Sequence, residues 1–536
     1  MKSIQSITFI LLFITQLGFA QTKKEKLEQL FEFYNQQNLF NGSVFISEKG
    51  ETLLDKGYGL SNVALKKENN ANSIFQIYSI TKTFTATVIL KLVEEKKLSL
   101  QDKLSKFYPD YPDASTISIE SLLTHTSGVY DYTRGNDMKD QTEKSFIEFQ
   151  KTKPLDFPVG TDWSYSNSGY YFLGYVIEKV TGISYEKAVE KYIFKPLKMK
   201  QSGFAFKNLK SENKTIGYEI FTEKEQKPSI VYDPPMPFAA GGIYSTVEDL
   251  NKYYNGLKNY KIISKQSLEK AYTPFKKNYG YGWITMRMFG KMTVGHSGYG
   301  AGFCSNFVQI PEDDICIILL TNTERGLNTA TYAIIKTLYN LYNKDYKIPI
   351  VANVSSETLK QYVGTYQVED NFVVYLTVEN NKLKLQSGNG PTTILYPVKE
   401  NLFYAEELMG DVIFERDKTS QIESLSFHVG NQLKKATKIF PSWGIVGTAT
   451  EKGWDGPDAK LFETETKGIW TIKNVTLKTG ELKFRFNDDW TLNFGKDMSD
   501  GIMPKGDNIE ISTGVYDIIL DITDYEKPKY KISKKS

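Results

Sequence analysis

Three short stretches carry side chains of the kind that move protons and acyl groups. The first is Ser79-Ile80-Thr81-Lys82. Residues three apart share a helix face, so on a helix the lysine amine reaches the serine hydroxyl. That hydroxyl is a poor nucleophile until a neighbouring base takes its proton. A lysine serves only where burial, cationic neighbours or the helix's positive end lower its pKa. The spacing alone is cheap in so lysine-rich a chain: Ser184 and Lys187, Ser211 and Lys214, and Ser267 and Lys270 repeat it. Only Ser79 opens an apolar run (Phe84, Ala86, Val88, Ile89, Leu90, Leu92, Val93) of the sort a buried helix needs.

Tyr165-Ser166-Asn167 follows 86 residues on, in a polar loop just before a helix pattern. Taken alone it reads as a helix cap followed by packed aromatics. Beside Lys82, the Tyr165 phenol can relay a proton between Ser79 and a leaving group, and Asn167 can hold a substrate amide carbonyl. Gly295-His296-Ser297-Gly298-Tyr299-Gly300 ends a strand pattern another 131 residues later. Its glycines let a substrate backbone come close, and Tyr299 N–H with Ser79 N–H would make an oxyanion hole. His296 would offer a polar or cationic group to a substrate carboxylate. The bland alternative is a hairpin with a satisfied histidine.

The elements that must position these groups lie between residues 21 and 350. A hairpin is expected from Gly42–Ser47 and Thr52–Tyr58, turning at Glu48-Lys49-Gly50. Helix patterns cover 79–98, 168–181, 185–193 and 328–343, the second stopping at a glycine cap, Gly182. Strand patterns return at Met292–Gly295, Gly302–Ile310 and Ile315–Thr321. Strands at both ends of a helical middle imply an α+β domain whose terminal strands share one sheet. A hairpin of the last two runs pairs Cys304 with Thr321 and Cys316 with Gln309. The thiols would then lie on the order of 16 Å apart, too far for a disulfide.

Together the three stretches resemble the penicillin-recognising serine hydrolases, of the class C β-lactamase, DD-peptidase and serine esterase type, over residues 35 to about 345. Ile119–Gly128 (with Leu122-Leu123-Thr124-His125-Thr126-Ser127-Gly128), Phe238–Thr246 and Tyr279-Gly280-Tyr281-Gly282-Trp283 are similar to that family's signatures as well. The resemblance implies a helical subdomain against an antiparallel sheet, a β-lactamase/transpeptidase-like fold. It implies Ser79 as the acylated nucleophile, Lys82 and Tyr165 as the proton-transfer pair, and Asn167, His296, Ser297 and Gly298 as substrate ligands. Neither a metal nor a cofactor is implied. True β-lactamases of this kind generally keep lysine where His296 stands. Tyr-Ser-Asn also replaces the class A Ser-Asp-Asn. A peptidase or amidase of D-amino-acid type, or an esterase, is therefore ranked above a dedicated β-lactamase. An α/β-hydrolase fits poorly, because Tyr299 stands where Gly-x-Ser-x-Gly needs its last glycine.

Residues 355–437 change texture to short alternating strands separated by turns, an all-β meander or barrel similar to the lipocalin-like domains appended to some family members. Residues 438–536 carry Trp443, Trp454, Trp470 and Trp490 and read as a β-sandwich. It resembles carbohydrate-binding modules of the outer-membrane starch-binding SusE/SusF type, with Lys483 and Trp490 as the sugar-binding pair; the bland reading buries these aromatics in the sandwich core. A cell-wall or polysaccharide glycan is the partner this implies. The reading from another class is thus a glycan-binding envelope protein whose hydrolase-like domain is inert.

Composition narrows the field. A chain of 536 residues, with 66 Lys+Arg against 63 Asp+Glu and only five arginines, lacks the basic face and guanidinium forks of a nucleic-acid reader. Three His and two Cys cannot build a His/Cys zinc cluster. Residues 1–20 have a basic start, an apolar core at Ile7–Leu17 and small residues before Gln21, the pattern of a secretory signal cut after Ala20. No later run is long enough for a transmembrane anchor, so a periplasmic or secreted chain acting on a small-molecule or peptide substrate is expected.

Overall fold

The computed structural model describes residues 22–535 except 136–141, 223, 232–236, 342–353, 370–371, 388–391, 409, 430–431, 441, 467, 498–501 and 524–527. The expected secretory signal, 1–20, lies outside the described residues. The chain divides into two compact units, Met1–Lys344 and Asp345–Ser536. No described helix is long and apolar enough to cross a membrane.

The first unit is built on a six-stranded antiparallel sheet in the order Glu51–Tyr58, Gly42–Glu48, Ile315–Thr321, Phe303–Ile310, Lys291–Gly300, Ile284–Met288. The N-terminal hairpin thus lies beside the last strand, with Val44 opposite Leu319, as expected of an α+β domain whose ends meet. Every residue of Ile315–Thr321 is buried, so the β-branched run at the sheet's centre is covered on both faces. Cys304 pairs with Thr321 and Cys316 with Gln309, as the hairpin register requires. Both thiols are free and buried, and burial pushes Cys304 up to about 12.

The helical side is organised around the Thr81–Glu94 helix, whose Phe84 ring stacks on Tyr253 with centroids 4.0 Å apart. This helix starts two residues later than its apolar run suggests. Tyr78 holds a positive φ of 43°, which breaks helical continuity, and Tyr78–Ile80 forms a separate 3₁₀ turn. The Asn167–Thr181 helix begins at Ser166, whose side chain accepts Gly169 N–H, and ends at Gly182 with φ 68°. The segment expected as a helix over 185–193 is an α-turn, Tyr185–Val189, running into a π-turn, Glu190–Phe194. The last described helix of the first unit is Asn328–Leu338, and positions 342–343 of the expected helix lie outside the described residues. Asn340, at φ 55°, stops its continuation.

In the second unit, eight antiparallel strands from Gly364–Glu369 to Gln432–Ile439 form a closed barrel, sealed where Thr365 meets Ile439. Its interior is filled by its own side chains, among them Tyr366, Leu376, Leu385, Phe403, Phe414 and Leu425. The remaining strands make two sheets, one containing Trp443–Val446, Gly480–Phe486 and Asp489–Lys496, the other Ile469–Leu477, Gly514–Asp521 and Lys529–Lys534. Trp443, Phe484 and Phe494 from one sheet and Trp470, Ile518 and Leu520 from the other share a single core, the sandwich arrangement.

Candidate active site

The Ile77–Ser79 turn is held by the sheet. A Cβ on Gly298 would fall inside the van der Waals radius of the Ile77 carbonyl oxygen, and one on Gly300 inside that of the Tyr78 ring. The glycines of this strand therefore admit the protein's own Ile77–Ser79 turn, where the sequence suggested a substrate backbone. Ser79 remains half-buried.

One turn on, Lys82 is fully buried. Its Nζ donates to Ser79 Oγ at 3.1 Å, Asn167 Oδ1 at 2.8 Å and the Ala240 carbonyl at 2.8 Å. These three acceptors use the three protons of an ammonium. It also lies 4.8 Å from the Tyr165 ring centroid. Burial lowers the lysine from 10.5 to about 7, against the pull of Asp131, which raises it. Tyr165 completes the triangle with a hydrogen bond to Ser79, and burial raises its phenol above the ordinary value of 10. Of the two, only the lysine exchanges a proton near neutral pH from its resting state; the tyrosine is held as a neutral phenol.

Asn167 sits at the start of its helix, and both its N–H and its Nδ2 donate to Asp131 Oδ2, at 3.0 and 3.1 Å. Its amide oxygen is thereby turned to Lys82. Beneath Tyr165 lies His125, whose Nδ1 accepts Ser166 N–H at 3.1 Å and whose ring is 4.5 Å from that of Tyr165. Burial and the charge of Lys82 both hold His125 well below its usual value, so it supports the loop as a neutral ring.

The Lys291–Gly300 strand leaves part of one edge unpaired. It is flanked by two-residue hairpins at 289–290 and 301–302, in which Met288 opposes Lys291 and Gly300 opposes Phe303. Residues flanking such turns are hydrogen-bonded pairs, and backbone direction alternates along a strand. Both hairpins therefore give the same parity: the N–H groups of residues 291, 293, 295, 297 and 299 point away from Phe303–Ile310. The neighbour on that side ends its pairing at Gly295 with Ile284, which leaves Ser297 and Tyr299 presenting backbone groups at an open edge. Tyr299 is 65% exposed, its hydroxyl on Glu324 at 3.1 Å.

His296 sits differently from the sequence expectation. It is buried on the face it shares with Gly298 and Gly300, 6.2 Å from the Tyr165 ring, with Nδ1 on the Ser297 carbonyl at 2.6 Å and Nε2 on the Tyr279 hydroxyl at 3.0 Å. Burial first, then Lys82, lowers it to about 3. It is neutral at any working pH and does not face a substrate carboxylate as a cation; the side chain exposed at that strand position is Ser297. The buried Nδ1–H and the acceptor Nε2 fix its tautomer.

Sequence reasoning passed over Asp131, and it gave no task to His125, Ala240 or Tyr279, although three signature stretches contain the last three. Each contributes a carbonyl, ring nitrogen or hydroxyl to the site's frame. In the second unit, Trp490 is 43% exposed and lies 5.9 Å from Trp454, centroid to centroid. The Arg485 guanidinium lies 4.8 Å from the Trp490 ring centroid and is tied to Asp458 at 2.6 Å. Trp443 and Trp470 are core residues. Lys483 opposes Val446 in the same sheet, two residues from Arg485 and on its face.

A sequence-family model described as Beta-lactamase matches residues 24–338, and another, a domain of unknown function (DUF3471), matches 349–439. Penicillin-binding protein 4* of Bacillus subtilis (strain 168) is 27% identical over 426 residues, covering 74% of this chain and 94% of its own. The octameric penicillin-binding protein homologue from Pyrococcus abyssi superposes with a TM-score of 0.55 at 26% identity, covering 77% of this chain and 99% of that one. The D-amino acid amidase from Ochrobactrum anthropi SV3 shares the fold, with a TM-score of 0.53 at 22% identity over 60% of this chain and 99% of its own. With the family model spanning more than half the chain, this protein belongs to the β-lactamase family of serine hydrolases, together with the penicillin-binding proteins.

Proposed function

We propose that this is an exported hydrolase that transfers an acyl group from a peptide, amide or ester to Ser79 and then to water. The observation that carries the reading is Lys82 Nζ, fully buried, 3.1 Å from Ser79 Oγ and held at about 7. Neutral Lys82 takes the hydroxyl proton as Ser79 Oγ attacks the carbonyl carbon. The oxyanion is met by Ser79 N–H and Tyr299 N–H, the latter on the open strand edge. Tyr165 gives its phenolic proton to the departing amine or alcohol and regains one from Lys82, so it never needs to rest as a phenolate. Water then repeats the sequence on the acyl-enzyme, with the proton returning to Ser79. A neutral, buried His296 where dedicated β-lactamases carry lysine favours substrates of the D-amino-acid amide, peptide or ester type over β-lactams, as does the likeness in fold to a D-amino acid amidase. Export rests on residues 1–20, and N-terminal sequencing of the mature protein should begin at Gln21.

The test is intact-protein mass spectrometry after exposure to a fluorophosphonate and, separately, a penicillin. One adduct is expected on the wild type with the fluorophosphonate, and none on Ser79→Ala. An adduct of equal size on both proteins would remove Ser79 from the mechanism. A penicillin adduct lasting for hours would move the reading to the DD-peptidase branch.

A second activity is favoured by one observation. Of the four C-terminal tryptophans, Trp454 and Trp490 stay out of the core as a pair, with Trp490 supported from beneath by Arg485. A pyranose stacks its apolar face on such a ring, and Lys483 on the same sheet face would meet its hydroxyls. Calorimetry with maltooligosaccharides and with peptidoglycan fragments should show binding that Trp490→Ala abolishes. No heat from either ligand class would end this reading.

A further inference from the structure

The Asp131 carboxylate is buried, and each of its contacts is a donor. Oδ2 accepts the N–H and Nδ2 of Asn167, while Oδ1 accepts the N–H and hydroxyl of Thr133, both at 2.9 Å. Four donors converging on two oxygens require a side chain that accepts at both ends. A carboxylate does so; an amide, with one oxygen and one NH₂, does not. The arrangement also decides which way the Asn167 amide points. Turned over, it would set its NH₂ against the Lys82 amine and its oxygen against a carboxylate. As it stands, its oxygen is 2.8 Å from Lys82 Nζ.

We propose that Asp131 is the positioning residue of this site: it locks the Asn167 amide with its oxygen on Lys82 and supplies the negative charge that faces the lysine. The geometry forms one chain, carboxylate to amide NH₂, amide oxygen to Nζ, Nζ to the nucleophile. Everything else set around Nζ is uncharged or tends to repel its charge. Ser79 lies in its own turn, Tyr165 and Tyr170 present ring faces, and Ala240 presents a carbonyl. The two histidines nearby, His125 and His296, are depressed by the same lysine. Among the described residues, Asp131 is the one charged group that pulls the lysine upward. Without it the lysine would lose its proton at lower pH, but the amide that holds its amine on Ser79 would be free to turn.

The inference rests on Ser79 being the acylated residue, so the full-length wild type is first labelled with a fluorophosphonate; absence of a Ser79 adduct there would count against the proposed reaction and not against Asp131. Given labelling, Asp131→Asn is compared with wild type for kcat and KM on p-nitrophenyl acetate from pH 5 to 9, with thermal unfolding as the folding control. The expected result is a fall in kcat/KM on the order of 10- to 100-fold, carried by kcat, with the acid limb displaced downward by about one pH unit. A residue that only braces the loop would lower the melting temperature and leave the limb in place. In the Asn167→Ala background, Asp131→Asn should cost far less than it does alone, because the two act in series. Should Asp131→Asn fail to fold, Asp131→Glu decides. It keeps the charge but displaces the oxygen that holds Asn167, and it should slow turnover while leaving the limb within half a pH unit. Wild-type kcat/KM and an unmoved limb in whichever variant folds would overturn the proposal.

Discussion

Replacing Lys82 by methionine should silence the site and stabilise the domain, with a gain that depends on pH in a defined way. Burial holds the amine at about 7 in the folded chain, against 10.5 in the unfolded one. Between those values the unfolded state carries a proton the folded state lacks, so wild-type stability rises with pH across the window. At 1.36 kcal/mol per unit, the buried lysine costs about 5 kcal/mol at pH 6 and about 2 kcal/mol at pH 9. Methionine removes that term and fills nearly the same volume. Against it stands the Ala240 carbonyl, a buried acceptor left without its donor, at about 1–3 kcal/mol; Ser79 and Asn167 are half-buried, and water can serve them. This loss does not vary with pH. The variant should therefore be more stable than wild type by about 2–4 kcal/mol at pH 6, and the difference should shrink by about 3 kcal/mol on going to pH 9. Because the chain has two units, global unfolding is a poor readout. Urea titrations followed by hydrogen exchange of peptides from the Thr81–Glu94 helix report the relevant one. A stability difference constant to within about half a kcal/mol from pH 6 to 9 would show that Lys82 titrates normally when folded, and the case for it as the base would fall.

Two further outcomes follow from the same geometry. Gly298→Ala puts a methyl against the Ile77 carbonyl and should cost about 3 kcal/mol or more while slowing fluorophosphonate labelling of Ser79. Gly326→Ala, at a position with open space around it, is the control and should change neither. The pH profile of kcat/KM should rise through about 7 as Lys82 is deprotonated, with no limb from His296, which is neutral above about 3. His296→Gln should keep that limb in place while lowering stability by about 1–2 kcal/mol through the Tyr279 hydroxyl; a limb that disappears with the histidine would assign the titration to the wrong residue.

The sheet and its helices were legible because local pattern and tertiary role agree. Val44, Ile46, Ile317 and Leu319 are β-branched or aliphatic where the sheet is buried, and Gly182 stands where a helix needs a left-handed residue. The thiol register followed from one turn. Meander or barrel stayed open in the sequence, since the closing strand, Gln432–Ile439, carries Lys434, Lys435 and Lys438 on both of its faces and resembles a charged loop more than a strand. In the site, Ser79, Lys82, Tyr165 and Asn167 announced themselves by spacing and company, and the structure brings all four together. Their frame did not. Asp131 meets Asn167 across 36 residues of chain, and no one-dimensional pattern marks a carboxylate that will be surrounded by donors. The partners of His296 were hidden for a related reason: alternation tells which residues share a face, but only the neighbouring elements show that Tyr279 and the Ser297 carbonyl take up both ring nitrogens.

That strand also explains why the site needs no cation to hold its geometry. Gly298 and Gly300 let the Ile77–Ser79 turn press against one side of it, and the early end of its neighbour at Gly295 leaves Ser297 and Tyr299 with backbone groups exposed along the other direction. The same ten residues thus set the height of Ser79 and the position of the Tyr299 N–H, the proposed nucleophile and oxyanion donor. Their separation is fixed by backbone packing, not by a long, flexible side chain. A lysine in place of His296 would add a charge behind Tyr165, next to a Lys82 that burial already depresses. Two amines in one desolvated site would each lower the other, and Lys82 would become a base at more acid pH. The neutral histidine, tied to the Ser297 carbonyl and Tyr279, instead leaves Lys82 poised near neutrality, against the opposing pull of Asp131.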